Sequence, residues 1–158
     1  GAEPLFPLEL RPNDWTVPAN PGCVPWRFRV PDGQAVEFID HNVGLVKRIA
    51  GVDFGDFVVW KRDNLAAYEL AVVVDDHHME IEEAVRGKDL LTSTARQLLL
   101  YEALGWKSPH FFHTNLIVGP DSRRLAKRTS GLMIRELRRK GFSPAAVMSG
   151  FVEGTSLR

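Results

Sequence analysis

The segment from residue 80 to residue 119 constrains the fold most. "EIEEAVRG" reads as a short strand closed by Gly87, "DLLTSTARQLLLYEALGW" as a helix, and "HFFHTNLIVG" as a buried strand. Along the helix Ala95, Leu98, Leu99, Ala103 and Leu104 form an apolar stripe; Ser93 or Thr94 can supply a capping hydroxyl, and Gly105 ends it. A helix between two strands is a crossover, and a crossover leaves its strands parallel. The second half of the chain is therefore expected to be an α/β domain with parallel pairing.

The first half carries different signals. Residues 1 to 25 hold six of the ten prolines, which bars a long helix or a central strand and predicts an extended arm or linker ahead of a domain at 26–158. "VPWRFRV" and "AVEFID" alternate on either side of Pro31-Asp32-Gly33, the pattern of a β-hairpin. "DFVVWKRDNLAAY" predicts another strand, ending near Asp63-Asn64. "LAAYELAVVVDDHHM" is open between strand, for its three consecutive valines, and helix, for its length and alanines. "LMIRELRRKGF" predicts a helix, and Ser143-Pro144 opens a last short one.

Size and composition exclude several classes. A chain of 158 residues with 44% hydrophobic and 25% charged residues has enough material for one domain with a core. No run of 18 apolar residues occurs, so no membrane span is expected. The single cysteine, Cys23, excludes an internal disulfide and suits a reducing cytoplasm. Formal net charge is zero, yet residues 122–140 carry a net +7 and residues 75–89 a net −4. Such asymmetry can steer an anion to one end, although two solvated faces of opposite sign give the same numbers.

The candidate chemistry lies mostly in "GPDSRRLAKRTSG", where Arg123, Arg124, Lys127 and Arg128 fall within six positions. A lysine among small residues after a strand can reach phosphate oxygens unobstructed; a solvated turn is the plainer alternative. Metal binding is not expected. His110 and His113 are three apart in a strand pattern and so face opposite sides, and no His-Glu-x-x-His occurs; His77 and His78 read as surface or core histidines. Asp75-Asp76 could hold magnesium, but paired acids near a helix end are more commonly just solvated. The absence of G-x-x-x-x-G-K-[ST] excludes a P-loop.

Taken together, "DFVVWKRDNLAAYELAVVVDDHHMEIEEAVRGKDLLTSTARQLLLYEALGW", "GPDSRRLAKRTSG" and "IRELRRKGFSPAAV" resemble the second half of a glutamyl-tRNA synthetase catalytic domain, and in particular the glutamyl-Q tRNA(Asp) synthetases. The resemblance runs from about Trp26 to about Val147. It implies a partial class I synthetase domain: a Rossmann-type parallel sheet with flanking helices and an N-terminal β-hairpin insertion, with residues 67 to 79 mostly helical. It implies glutamate activation by ATP, with magnesium accompanying the nucleotide, and transfer to the queuosine base of tRNA(Asp).

By resemblance Tyr68 and Arg86 are glutamate-binding. Tyr68 has the rival reading of a core residue, and Arg86 that of an ion pair with Asp75, Asp76 or Asp89. Lys127 matches the second lysine of the family's Lys-Leu-Ser-Lys loop, where it steadies the triphosphate as pyrophosphate leaves, a catalytic role. Arg124 stands at the first lysine and Ala126 at the serine. The family's His-x-Gly-His motif and zinc-binding cysteines are not found in these residues; zinc is not expected, and activity of this chain alone is expected to be absent or incomplete. Loss of the histidine contacts to ATP costs about 5 to 8 kcal/mol of transition-state stabilisation. A homodimer or a complementary chain would cover the sheet edge. The alternative to a ligase is a non-catalytic descendant that binds tRNA, nucleotide or protein.

Overall fold

The computed structural model describes residues 5–13, 21–116 and 133–152. The chain divides into two compact units, Gly1–Thr114 and Asn115–Arg158. The first contains β1 (Trp26–Phe28), β2 (Ala35–Asp40), β3 (Gly44–Ile49), β4 (Phe57–Trp60), α1 (Tyr68–His78), β5 (Glu83–Gly87), α2 (Leu91–Leu104) and β6 (His110–Thr114); the second contains α3 (Ile134–Arg139) and α4 (Pro144–Val152).

The predicted crossover is present. β5 and β6 pair in parallel, from Glu83 opposite His110 to Gly87 opposite Thr114, with α2 between them in sequence. β2 joins β6 in parallel at Asp40 opposite Phe111, so the sheet runs β3-β2-β6-β5. Gly105 ends α2 in the left-handed region, at φ 68°. Ala95 and Leu99 are buried as the stripe requires, but the inward face continues through Leu100 and Tyr101, while Ala103 and Leu104 are exposed. Neither Ser93 nor Thr94 caps the helix. The N-cap position is Leu90, and Thr94 lies inside the first turns with its hydroxyl donating to the Leu90 carbonyl at 3.0 Å. The sequence places the start late because a one-turn 3-10 helix, Lys88–Leu90, leads directly into α2.

The hairpin across Pro31-Asp32-Gly33 does not form. β1 pairs antiparallel with β4, and the hairpin is β2 with β3, Ala35 opposite Ile49 through Asp40 opposite Gly44. Pro31-Asp32-Gly33 does turn, with Gln34 N–H donating to the Pro31 carbonyl and Gly33 at φ 82°. Gly33 N–H, however, donates to Ala50 at the far end of the β2–β3 ladder, so this turn carries the chain from one sheet to the other. The true hairpin turn follows Asp40, whose carboxylate accepts the N–H groups of Asn42 and Val43.

The valine-rich segment is helical, as the resemblance implies. Glu69 and Val73, four apart, are its buried positions, the spacing of one helical face. Val73 joins Val30, Val36, Ala50, Phe54, Phe57, Leu99 and Leu100 in the core of the first unit. Residues 5–13 are fastened to this unit by Arg11. Its Nε and Nη2 each donate to Asp56 at 2.7 Å, and its guanidinium also pairs with Asp32. In the second unit Leu137 and Val147 are buried, and Ser143 Oγ accepts Ala146 N–H at the start of α4. No described helix is long and apolar enough to cross a membrane.

Candidate functional site

The carboxyl ends of the three parallel strands converge. Asp40 ends β2, Arg86 is the penultimate residue of β5, and His113 is the penultimate residue of β6. Ligands bind open α/β sheets at this edge. Alternation explains the inward aim of two of them: Val36, Phe38 and Asp40 share one face of β2, and Phe111 and His113 share one face of β6. Asp40 is 2% exposed, and His113 and Thr94 are fully buried.

These groups form one hydrogen-bonded chain. His113 Nδ1 lies 2.6 Å from Asp40 Oδ2. His113 Nε2 receives Arg86 Nε–H at 3.3 Å and lies 2.9 Å from Thr94 Oγ1, which accepts Arg86 Nη2 at 2.7 Å. Burial alone would raise the Asp40 pKa, but the His113 ring and the N–H groups of Val43, Asn42 and His113 bring it down to about 2. Asp40 is thus an anion facing His113 Nδ1–H, and Arg86, which can only donate, makes Nε2 an acceptor; the Thr94 hydroxyl, 2.9 Å from the same nitrogen, shares its one hydrogen between Nε2 and the Leu90 carbonyl.

Among the described residues Arg86 hydrogen-bonds to His113 and Thr94 rather than to Asp75 or Asp76. Burial lowers its pKa, while Tyr68, Glu69 and Asp76 act in the opposite sense. Phe111 lies under the guanidinium, 5.0 Å from ring centroid to Cζ. With Nε and one hydrogen of Nη2 engaged, both hydrogens of Nη1 and the second of Nη2 have no hydrogen-bond partner among the described residues. This end-on edge matches the two oxygens of a carboxylate.

Tyr68 is the first residue of α1 and is 55% exposed, which rules out the core reading. It lines a cavity of about 510 Å³ with Arg27, Asp56, Glu69 and Arg96, and with Leu5 to Pro7 of the amino-terminal segment. Beneath it Gln97 donates to Glu69 at 2.7 Å, tying α2 to α1. No hydrogen bond joins Tyr68 to Arg86; the link is electrostatic. The structure brings Tyr68 near enough to Arg86 for an ionised Tyr68 to raise the Arg86 pKa. Lys127 and Arg124 lie outside the described residues.

The sequence reading missed Asp40, and it treated Thr94 as a cap and His113 as an ordinary histidine. The signal for Asp40 was its phase, two residues beyond Phe38 on the inward face of an alternating strand, where an acid requires partners. His110 is exposed and stacks on His41, and His77 stacks on Trp106 at 3.9 Å, so strand geometry separates His110 from His113 as expected.

A mixed sheet whose three parallel strands carry polar groups at their carboxyl ends, with helices in its crossovers, defines an α/β domain. The sequence profile described as "tRNA synthetases class I (E and Q), catalytic domain" matches residues 17–155. A glutamate–tRNA ligase of Desulforamulus reducens is 42% identical over 123 residues, 78% of this chain and 25% of that protein. A second, from Syntrophus aciditrophicus, is 45% identical over 124 residues, again 78% and 25%. The crystal structure of a glutamate tRNA ligase from Elizabethkingia meningosepticum in complex with its amino acid superposes with a TM-score of 0.58 at 33% identity, over 73% of this chain and 22% of that one. The chain belongs to the catalytic-domain family of the class I glutamyl- and glutaminyl-tRNA synthetases. It spans about a quarter of the length of these curated relatives.

Proposed function

We propose that this region is the amino-acid-binding part of a glutamate-activating site. Arg86 holds a carboxylate of glutamate through its end-on edge, Tyr68 contacts the same amino acid, and Lys127 with Arg124 holds the triphosphate of ATP, magnesium accompanying the nucleotide. The observation that supports this most is the Arg86 guanidinium, anchored on one side by His113 and Thr94 with its carboxylate-matching edge left over. The relatives support glutamate as the ligand, since they are glutamate–tRNA ligases, one of them crystallised with its amino acid.

In the reaction proposed for the protein that carries this region, a carboxylate oxygen of glutamate attacks the α-phosphorus of ATP and pyrophosphate leaves. A hydroxyl of tRNA then attacks the acyl carbon and AMP leaves. The finer reading, a queuosine hydroxyl of tRNA(Asp) as acceptor, rests on the resemblance to glutamyl-Q synthetases. Parallel charging of queuosine-containing tRNA(Asp) and of tRNA(Glu) separates the two acceptors.

Isothermal titration with L-glutamate and with a glutamyl-adenylate analogue tests the ligand assignment. Arg86→Ala is expected to weaken both by roughly 10- to 100-fold, the effect of losing a charge-assisted hydrogen-bonding partner. Lys127→Ala is expected to weaken ATP while leaving glutamate unchanged. Equal affinities in wild type and Arg86→Ala would overturn the assignment. The second reading, a non-catalytic RNA-binding descendant, is favoured by the exposed Arg135, Arg138, Arg139 and Lys140 of α3 and its end. It calls for salt-sensitive RNA binding with no response to glutamate.

A further inference from the structure

The order of charges around Arg86 has a consequence for how it meets a ligand. A carboxylate placed directly against the guanidinium would occupy the edge that a carboxylate ligand needs. In this fold the His113 imidazole stands between them. Asp40 Oδ1 accepts three backbone N–H groups, from Asn42 at 3.0 Å, Val43 at 2.8 Å and His113 at 3.2 Å. Its Oδ2 faces the ring Nδ1 of His113 at 2.6 Å, and the opposite ring nitrogen faces Arg86 Nε.

We propose that Asp40 and His113 are positioning residues for Arg86: Asp40 fixes the imidazole tautomer, and the tautomer fixes the direction in which Arg86 presents its Nη1 edge to a carboxylate ligand. The functional half of this inference rests on the reading of Arg86 as a carboxylate-binding residue. The arrangement is fully buried at Asp40, His113 and Thr94, so an Arg86 Nε–H that loses its acceptor there finds no water to replace it. Thr94 supplies the second anchor, accepting Nη2 and donating to the Leu90 carbonyl. Two anchors on a planar group leave one orientation.

Asp40→Asn isolates the tautomer from the fold. Asn42 and Val43 N–H donate to Oδ1 alone, so the asparagine carbonyl takes that place and its NH₂ falls where Oδ2 was, while the His113 N–H, shared between Oδ1 at 3.2 Å and Oδ2 at 3.1 Å, keeps only its Oδ1 half. That NH₂ donates to His113 Nδ1, which must then be unprotonated, and the proton moves to Nε2, where Thr94 Oγ1 at 2.9 Å can accept it and Arg86 Nε–H is left without its acceptor. The turn keeps its hydrogen bonds while Arg86 loses its partner.

The test is nitrogen-15 NMR of the 158-residue chain at pH 7, with a titration of L-glutamate. In wild type, His113 Nδ1 is expected to carry the proton and Nε2 to show an acceptor shift, while Arg86 gives a persistent Nε–H signal with slow guanidinium rotation. In Asp40→Asn, with a folded amide spectrum, the two ring nitrogens are expected to exchange character, the Arg86 Nε–H signal to be lost, and glutamate affinity to fall roughly tenfold or more. A protonated Nε2 in wild type overturns the inference without recourse to any variant. So does a folded Asp40→Asn with unchanged Arg86 signals and unchanged affinity. Release of Arg86 in the variant, with no glutamate binding even in wild type, supports the positioning and overturns the pocket reading alone.

Discussion

A carboxylate as enclosed as Asp40 persists as an anion only where donors replace the water it has lost, and four N–H groups converge on it. Its pKa of about 2 lies below the ordinary carboxylate value, so its contribution to stability is complete above about pH 4 and is lost as pH falls towards 2. Asp76 has the opposite sign. Burial raises its pKa, Arg86 opposes, and the neighbouring Asp75 adds to the rise. Its charged form is disfavoured in the fold, so its contribution is present in acid and is lost as pH rises. Asp76→Asn is therefore expected to melt above wild type at pH 7, the gap closing in acid; thermal melts across pH check this. Arg86 and Tyr68 were visible in the sequence through family motifs. Asp40, Thr94 and His113 were not, because each is a common residue whose meaning depends on partners up to 73 positions away.

Among the elements, α2 was the most legible. Its apolar spacing and terminal Gly105 carry local information, and Gly105 adopts the left-handed conformation that a β-carbon resists. Gly105→Ala is expected to destabilise the first unit by about 1 kcal/mol in chemical denaturation, with little change in the midpoint's cooperativity. The hairpin was less legible for a physical reason. Pro31-Asp32-Gly33 and the turn after Asp40 are both competent turns, with Gly33 and Gly44 at φ 82° and 85°. What selects the second is non-local: β1 finds β4, some thirty residues on, and Asp40 caps its own turn while bonding to β6. The valines of α1 are the converse case, where tertiary packing of one face overrides a β-branched composition.

On the scale of the whole molecule, the fold of the first unit gathers one polar group at the carboxyl end of each parallel strand, the arrangement on which the proposed glutamate-binding role rests. The parallel crossover was readable from the order of elements alone; the role of the basic loop was not, since spacing cannot distinguish a phosphate cradle from a solvated turn and that loop lies outside the described residues. The central claim is that Arg86 receives a carboxylate of glutamate. The most direct test is the guanidinium NMR signal of Arg86 in this chain during titration with L-glutamate, with L-glutamine at matched concentrations as control. The account predicts saturable displacement of the Arg86 Nε and Nη signals and of the Tyr68 ring by glutamate, and a far weaker response to glutamine. Arg86 signals that do not move with glutamate, or that move equally with both amino acids, would contradict it.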